Sequence, residues 1–170
     1  MELIVAFAKN GIIGNNNQIP WYISEDLIRF RDITRDNVIV MGRKTFESFQ
    51  NGPLKDRIHI VLTRKPEIST YCNFFFVNTE NLQETIEHYV KAGSKKIFVI
   101  GGKEIYDLLI ELCETVHITL VDMDPLGDVV FSYDLHYFLE NYTLVYESEQ
   151  FVSKKHSIKY TYYTFNKNTV

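Results

Sequence analysis

Five short apolar runs, Leu3–Phe7, Val38–Met41, Ile58–Leu62, Ile97–Ile100 and Val116–Val121, set the rhythm of this chain. Most are β-branched or nearly continuous in apolar character, as strands of a sheet covered on both faces tend to be. Helical patterns lie between them. Ser24 can cap the first helix, and Arg43–Phe49 can form a short one after the second strand. Asn81–Ala92 reads as a third, with Leu82, Ile86, Tyr89 and Val90 on one side and Gly93 at its stop. Gly102–Leu112 reads as a fourth, with Ile105, Leu108, Leu109 and Leu112 facing in. Strands alternating with helices predict a largely parallel α/β sheet. The C-terminal part differs: Tyr142–Glu147 and Ile158–Phe165 read as an antiparallel pair at one sheet edge, joined by the polar connector Ser148–Ser157. The stretch Asp122–Asn141 reads as a long surface loop.

One acid contradicts the pattern of its helix. Asp26 lies in the stripe Ile23, Asp26, Phe30, Ile33, with Leu27 beside it, spacings that share one helix face. Burying an unpaired charge is costly, so this carboxyl must be neutralised, paired or used on a ligand. The only Trp of the chain, Trp21, stands just upstream in Ile19-Pro20-Trp21. An acid beside aromatic and apolar groups is a candidate for proton handling or for recognising a heterocycle.

The 170 residues suit one domain with a sizeable core, taken here as residues 1–170. A formal charge of −4 argues against a general nucleic-acid surface while allowing a local basic pocket. Cys72 and Cys113 match no zinc spacing and read as free thiols of a reducing compartment. The His residues are unclustered, and no metal is expected. No run reaches the length of a membrane span. The apolar start lacks a basic flank and runs into the turn Lys9-Asn10-Gly11, so it reads as a first strand and the protein as cytoplasmic. The aromatic tail, Tyr160, Tyr162, Tyr163 and Phe165, reads as strand core.

Two further places carry ligand chemistry. Gly42-Arg43-Lys44-Thr45 follows a strand and opens a helix, where backbone N–H groups favour phosphate. Thr63-Arg64 ends the next strand and adds donors. Gly101-Gly102 forms another strand-to-helix junction, although Lys103 and Glu104 follow where a dinucleotide fingerprint would seek a third glycine.

Taken in order, Ile13-Gly14, Ile19-Pro20-Trp21, Asp26 with Phe30, Met41-Gly42-Arg43-Lys44-Thr45-Phe46, and Ile100-Gly101-Gly102 with Tyr106 resemble the dihydrofolate reductase family over almost the whole chain. The resemblance implies a single-domain α/β fold with a central, mixed, mostly parallel twisted sheet of about eight strands flanked by helices. It implies transfer of hydride from NADPH to C6 of dihydrofolate, with a proton to N5. Asp26 would hold the pterin with both carboxylate oxygens and promote the protonation through water, and Trp21 would wall the site. Ile4, Val5, Leu27, Phe30, Phe49, Leu54, Ile100 and Thr119 are implied for the rest of the substrate, with Arg57 on its glutamate carboxylate. Gly14 to Trp21, a polar and turn-prone stretch, would be a mobile lid with Ile19 at the meeting point. Arg43, Thr63 and Arg64 would meet the 2′-phosphate of NADPH. Ala6, Ile13, Gly14, Ile19, Gly42, Lys44, Thr45, Leu62, Ile100, Gly101, Gly102, Lys103, Glu104, Ile105 and Tyr106 complete the implied cofactor set, with a cis peptide at Gly101-Gly102.

The chain departs from the family pattern at Gln50-Asn51-Gly52-Pro53, one residue longer than in compact bacterial members, and at Ser132, where proline often follows Phe131. Both leave response to antifolate inhibitors open. Two other readings stand beside this one: an NADPH-dependent pyrimidine reductase of the riboflavin pathway, and a non-catalytic nucleotide-binding protein. The first does not need the set Trp21, Asp26, Phe30. The second would gain stability from Leu at position 26. With no exposed apolar heptad, a monomer is expected.

Overall fold

Strand residues alternate between two apolar layers, and that alternation builds the sheet. The computed structural model describes residues 1–92 and 95–168; Gly93, the expected helix stop, lies outside the described residues. The strands, in chain order, are β1 Glu2–Ala8, β2 Ile12–Gly14, β3 Val38–Gly42, β4 Ile58–Leu62, β5 Phe74–Val77, β6 Ile97–Val99, β7 Thr115–Val121, β8 Val129–Val130, β9 Tyr142–Glu147, β10 Phe151–Val152 and β11 Lys159–Lys167. The α-helices are α1 Ser24–Thr34, α2 Arg43–Glu47, α3 Thr79–Ala92, α4 Lys103–Leu109 and α5 Leu135–Asn141, with a 3-10 turn over Ile110–Leu112.

The main sheet runs β10-β11-β7-β1-β6-β3-β4-β5, with β9 also paired to β11. From β7 to β5 every pairing is parallel, while β11 runs antiparallel to β7, β9 and β10. The α/β fold, the mixed sheet and the antiparallel C-terminal pair are as the residues predicted. On β3, Val38 and Val40 join one buried cluster with Leu82 and Ile86 of α3, Ile105 and Leu109 of α4 and Phe138 of α5. Ile39 and Met41 join the opposite cluster, against Ile33 of α1 and Phe46 of α2. Period-two alternation with both faces covered explains why these strands are continuously apolar.

Several expectations need correction. Ser24 does not cap α1: Ile23 holds the cap position, and the Ser24 hydroxyl donates to Glu25 Oε2 at 3.0 Å, the adjacent carboxylate capturing it. Only the ends of the α1 stripe are core: Ile23 is buried and Ile33 packs on the Ile39 and Met41 cluster, whereas Leu27 is 48 % exposed. Its middle, Asp26 and Phe30, roofs an open cleft. On α3, Val90 is exposed, because eight residues past Leu82 turn about 80° around the axis. On α4, Leu108 is exposed because it lies about 100° around the axis from buried Leu109, and Leu112 is exposed because the α-helix stops at Leu109 and the tighter 3-10 turn changes the phase, burying Ile110.

The expected loop Asp122–Asn141 contains β8 and α5, and it buries Phe131 and Phe138. Asp134 caps α5 by accepting the Tyr137 N–H at 2.8 Å. Connector Ser148–Ser157 contains β10, and Phe74–Val77, unread as a strand, forms the edge β5. Among the described residues, no helix is long and apolar enough to cross a membrane.

Candidate active site

A parallel sheet presents its loops and helix starts beyond the carboxyl ends of its strands, and ligands bind there where the strand order reverses. Here β1 is that point, lying between β6 and β7. A cleft of about 260 Å³ opens there. Ile4, Val5 and Ala6 of β1 form part of its lining, and Asp26, Leu27 and Phe30 of α1 face them. Thr45 of α2 with Ser48 and Phe49 supplies another wall, and Ile100, Gly102, Lys103 and Tyr106 supply the junction into α4. A second, more open hollow of about 390 Å³ follows β5 and loop residues Glu67 to Tyr71, far in sequence from Asp26.

Asp26 owes its position to two elements. It sits in the first turn of α1, and Thr119 Oγ1 of β7 donates to its Oδ1 at 2.7 Å. Thr119 pairs with Ala6 in the β1–β7 register, which brings that hydroxyl to the cleft. Burial pushes the Asp26 carboxyl above its ordinary pKa, while the Thr119 hydrogen bond and the nearby Arg29 charge pull it down. The result is a carboxyl that exchanges its proton at higher pH than a surface acid. Neighbouring Glu25 points elsewhere, accepting the Lys154 N–H at 3.0 Å.

The Gly14–Trp21 segment is shaped by a tight turn. Asn15 and Gln18 form a bridge, and Asn16 and Asn17 adopt φ values of 49° and 60°, which asparagine tolerates. Gly14 pairs with Val129 of β8, so the segment is tied to a small second sheet. Ile13, Gly14, Asn17, Gln18, Ile19 and Val129 line the mouth, where Ile19 is largely exposed.

Across the cleft, the Tyr106 hydroxyl donates to the Ile4 carbonyl at 2.9 Å and is fully enclosed. Burial pushes that phenol well above its ordinary pKa, so it stays neutral. Its ring lies against Gly101, where φ is 109° and an added Cβ would come within 3.0 Å of the ring. The Gly101-Gly102 peptide is cis. Lys103 donates to Asp107 Oδ2 at 2.8 Å and also to the Ser132 hydroxyl, the position where the family pattern often has proline.

Gly42 pairs with Leu62, so Arg43 and Thr63-Arg64 leave adjacent strand ends together. Arg43 is bridged to Glu47 at 2.9 Å and Glu67 at 3.4 Å. The Thr63 hydroxyl accepts the Lys65 N–H at 3.3 Å. Helices α2 and α4 start at Gly42 and Gly102, neither with a side-chain cap. Lys44, Arg64 and Glu104 are exposed at the surface, and Ile105 is buried against Gly42.

Some of the expected residues lie outside the cleft lining. Trp21 packs on the Ile23, Val121 and Tyr160 cluster. Leu54 packs on the Ile39 and Met41 cluster. Arg57 donates to Thr34 Oγ1 at 2.9 Å and to the Arg31 carbonyl at 3.2 Å, which places it below the far end of α1. Its guanidinium lies 5.9 Å from the Phe30 ring centroid. Sequence reasoning missed Asn17, Gln18, Ser48 and Val129 as lining residues. Ser48 was legible as one helical turn beyond Thr45; Val129 was not, because it arrives through the β2–β8 pairing.

A covered parallel sheet, a cleft at its carboxyl edge and one half-buried acid on the roofing helix define an α/β protein that binds a ligand at the carboxyl ends of its strands. The family model described as dihydrofolate reductase matches residues 1–167. The chain is 37% identical over 131 residues to dihydrofolate reductase type 15 of Escherichia coli, covering 77% of this chain and 80% of the relative. It is 33% identical over 130 residues to the bifunctional dihydrofolate reductase-thymidylate synthase of Paramecium tetraurelia, covering 75% of this chain and spanning 27% of that longer protein. Its fold matches the dihydrofolate reductase from Enterococcus faecalis complexed with NADP(H) and RAB-propyl, with a TM-score of 0.84, 27% identity and coverage of 99% and 96% of the two chains. The chain belongs to the dihydrofolate reductase family.

Proposed function

We propose that the Asp26 cleft carries out the reaction of this family, NADPH-dependent reduction of dihydrofolate to tetrahydrofolate, and that Asp26 governs the proton that the reaction consumes. The chain is an NADPH-dependent oxidoreductase acting on dihydrofolate. One observation carries the role of Asp26: the half-buried carboxyl lines the cleft and is held by Thr119 at 2.7 Å. A carboxyl raised by burial and kept in one orientation can accept from two adjacent N–H groups of a pterin edge. It also favours protonation at N5, reached through water, while hydride arrives at C6. Reduction thus takes one hydride and one proton per dihydrofolate.

The residues present fit the cofactor. Two helices start at glycines without side-chain caps, and Arg43, Lys44 and Arg64 gather near one of them. NADPH, when bound, supplies the hydride. In this reading Gly42, Gly101 and Gly102 let the backbone approach a diphosphate, and Arg43, Thr63 and Arg64 hold the 2′-phosphate. Ile4, Val5, Ile100 and Tyr106 orient the stacked rings. Phe30, Phe49 and Leu27 flank the substrate's aromatic ring, and Arg57 receives its carboxylate. The Asn15–Gln18 turn, carrying Ile19, closes over the rings and excludes water. Trp21 and Leu54 support this site from behind.

The same proposal takes residues 1–170 as one monomeric, cytoplasmic domain. Mixing purified chain with NADPH and dihydrofolate and following cofactor absorbance tests the reading. Rapid cofactor loss that Asp26→Asn slows by about 10²-fold or more supports it. Turnover only with a ribosyl-pyrimidine, or binding without turnover, defeats it in favour of the two rival readings.

A further inference from the structure

Arg29 lies one helical turn beyond Asp26, on the same side of α1. Its guanidinium carbon is 4.2 Å from the centroid of the Tyr162 ring. Its Nη1 is buried and has no hydrogen-bond partner. Among the described residues, no carboxylate lies within ion-pair distance of it. A half-buried guanidinium with one buried, unused donor is a costly arrangement, and an uncharged residue would avoid the cost.

The surroundings connect this cation to the acid. Tyr162 of β11 pairs with Thr119 of β7, and Thr119 holds Asp26. A closed ring therefore joins Asp26, Thr119, Tyr162 and Arg29. The charged and titratable groups facing the pair are few. On α1, Glu25 turns away to Lys154. On β11, Tyr160 and Tyr162 are held neutral by burial, and Tyr146 of β9 faces Arg29. Arg29 is thus the charge that acts on Asp26.

We propose that Arg29 is a positioning residue whose fixed positive charge sets the pH range over which Asp26 holds its proton. The proposal rests on the role assigned to Asp26 above. The π face of Tyr162 holds the guanidinium in place without neutralising it. The Arg29 charge offsets part of the burial effect on Asp26, so its carboxyl gives up its proton at lower pH than burial alone would set.

The test titrates the Asp26 carboxyl carbon by carbon-13 NMR in the ligand-free full chain, the signal being assigned by its loss in Asp26→Asn. Arg29→Met keeps the apolar stem and removes the charge; Arg29→Lys keeps both. The midpoint is expected to rise by about one pH unit in Arg29→Met and to stay near the parent in Arg29→Lys. An unmoved midpoint in Arg29→Met, or an equal rise in both variants, overturns the proposal. Should Arg29→Met not fold, Arg29→Gln replaces it under the same criteria. The alkaline limb of the pH–rate profile is expected to move with the midpoint. A midpoint that moves while the limb stays supports the charge effect of Arg29 on the acid and defeats the proton role of Asp26 alone.

Discussion

Thr119 donates its hydroxyl hydrogen to Asp26 across 93 positions of chain, at 2.7 Å. That bond favours the ionised carboxylate over the acid and fixes which way the carboxyl faces. Thr119→Val keeps the shape of a buried side chain and removes the donor. The pH at which Asp26 gives up its proton then rises, and kcat/KM falls about tenfold through lost orientation. Asp26→Asn retains the oxygen that Thr119 needs, so its Tm is expected to match or exceed the parent, while kcat/KM drops about 10²–10⁴-fold. Thermal unfolding with steady-state kinetics on both variants checks this; a less stable Asp26→Asn with near-parent turnover contradicts it.

Gly101 occupies a backbone conformation that side chains resist, and it sits against the Tyr106 ring. Gly101→Ala adds strain at φ 109° and pushes that ring off the Ile4 carbonyl. A loss of about 2 kcal/mol or more in unfolding free energy is expected, with a raised KM for NADPH. Tyr106→Phe, which removes only the hydrogen bond, should cost about 1 kcal/mol. Denaturant titration separates the two, and equal losses would refute the steric account.

Arg57 has work in the fold before any ligand arrives, through its bonds to Thr34 and the Arg31 carbonyl. A guanidinium carries five N–H donors, so it can hold these and still meet a carboxylate. Arg57→Met is expected to raise KM for dihydrofolate about tenfold or more with kcat little changed. Stability should fall as well, because the buried Thr34 loses a partner. The tail-binding role fails if KM is unchanged in a folded Arg57→Met enzyme.

His59 gives the fold its own acid sensitivity. It is buried on β4, and its Nε2 accepts the Leu54 N–H at 3.0 Å, which requires the neutral ring. Burial first, and then the Arg57 charge, lowers its pKa from 6.5 to about 4. The unfolded chain therefore takes up a proton at higher pH than the folded one. This contribution is complete above pH 6.5 and is lost as pH falls toward 4, amounting to on the order of 2 kcal/mol. Unfolding free energies of parent and His59→Phe across that range should converge as pH falls; parallel curves would disprove the assignment.

How far the residues alone carry can be judged element by element. Strands β1, β3, β4, β6 and β7 were legible because a strand buried on both faces must be apolar at every position, a property written locally. Asp26 was legible because a carboxylate in an apolar stripe violates that same rule. Helix α5 and strand β8 were not, since Pro125, Gly127 and the mixed acids and aromatics of Asp122–Asn141 mask any apolar period. They are held by Phe131 and Phe138 meeting a core built from distant strands.

The sequence by itself therefore determined the class of fold and the presence of one acid that burial alone would not keep. Only the tertiary structure decided what surrounds that acid. Thr119 reads as an ordinary strand residue until the β1–β7 register aims its hydroxyl at α1. Nothing in the residues around Arg29 marks it out; only the docking of β11 brings Tyr162 beneath its guanidinium. Periodicity is a property of neighbours along the chain, whereas these contacts depend on register and docking between elements far apart in sequence.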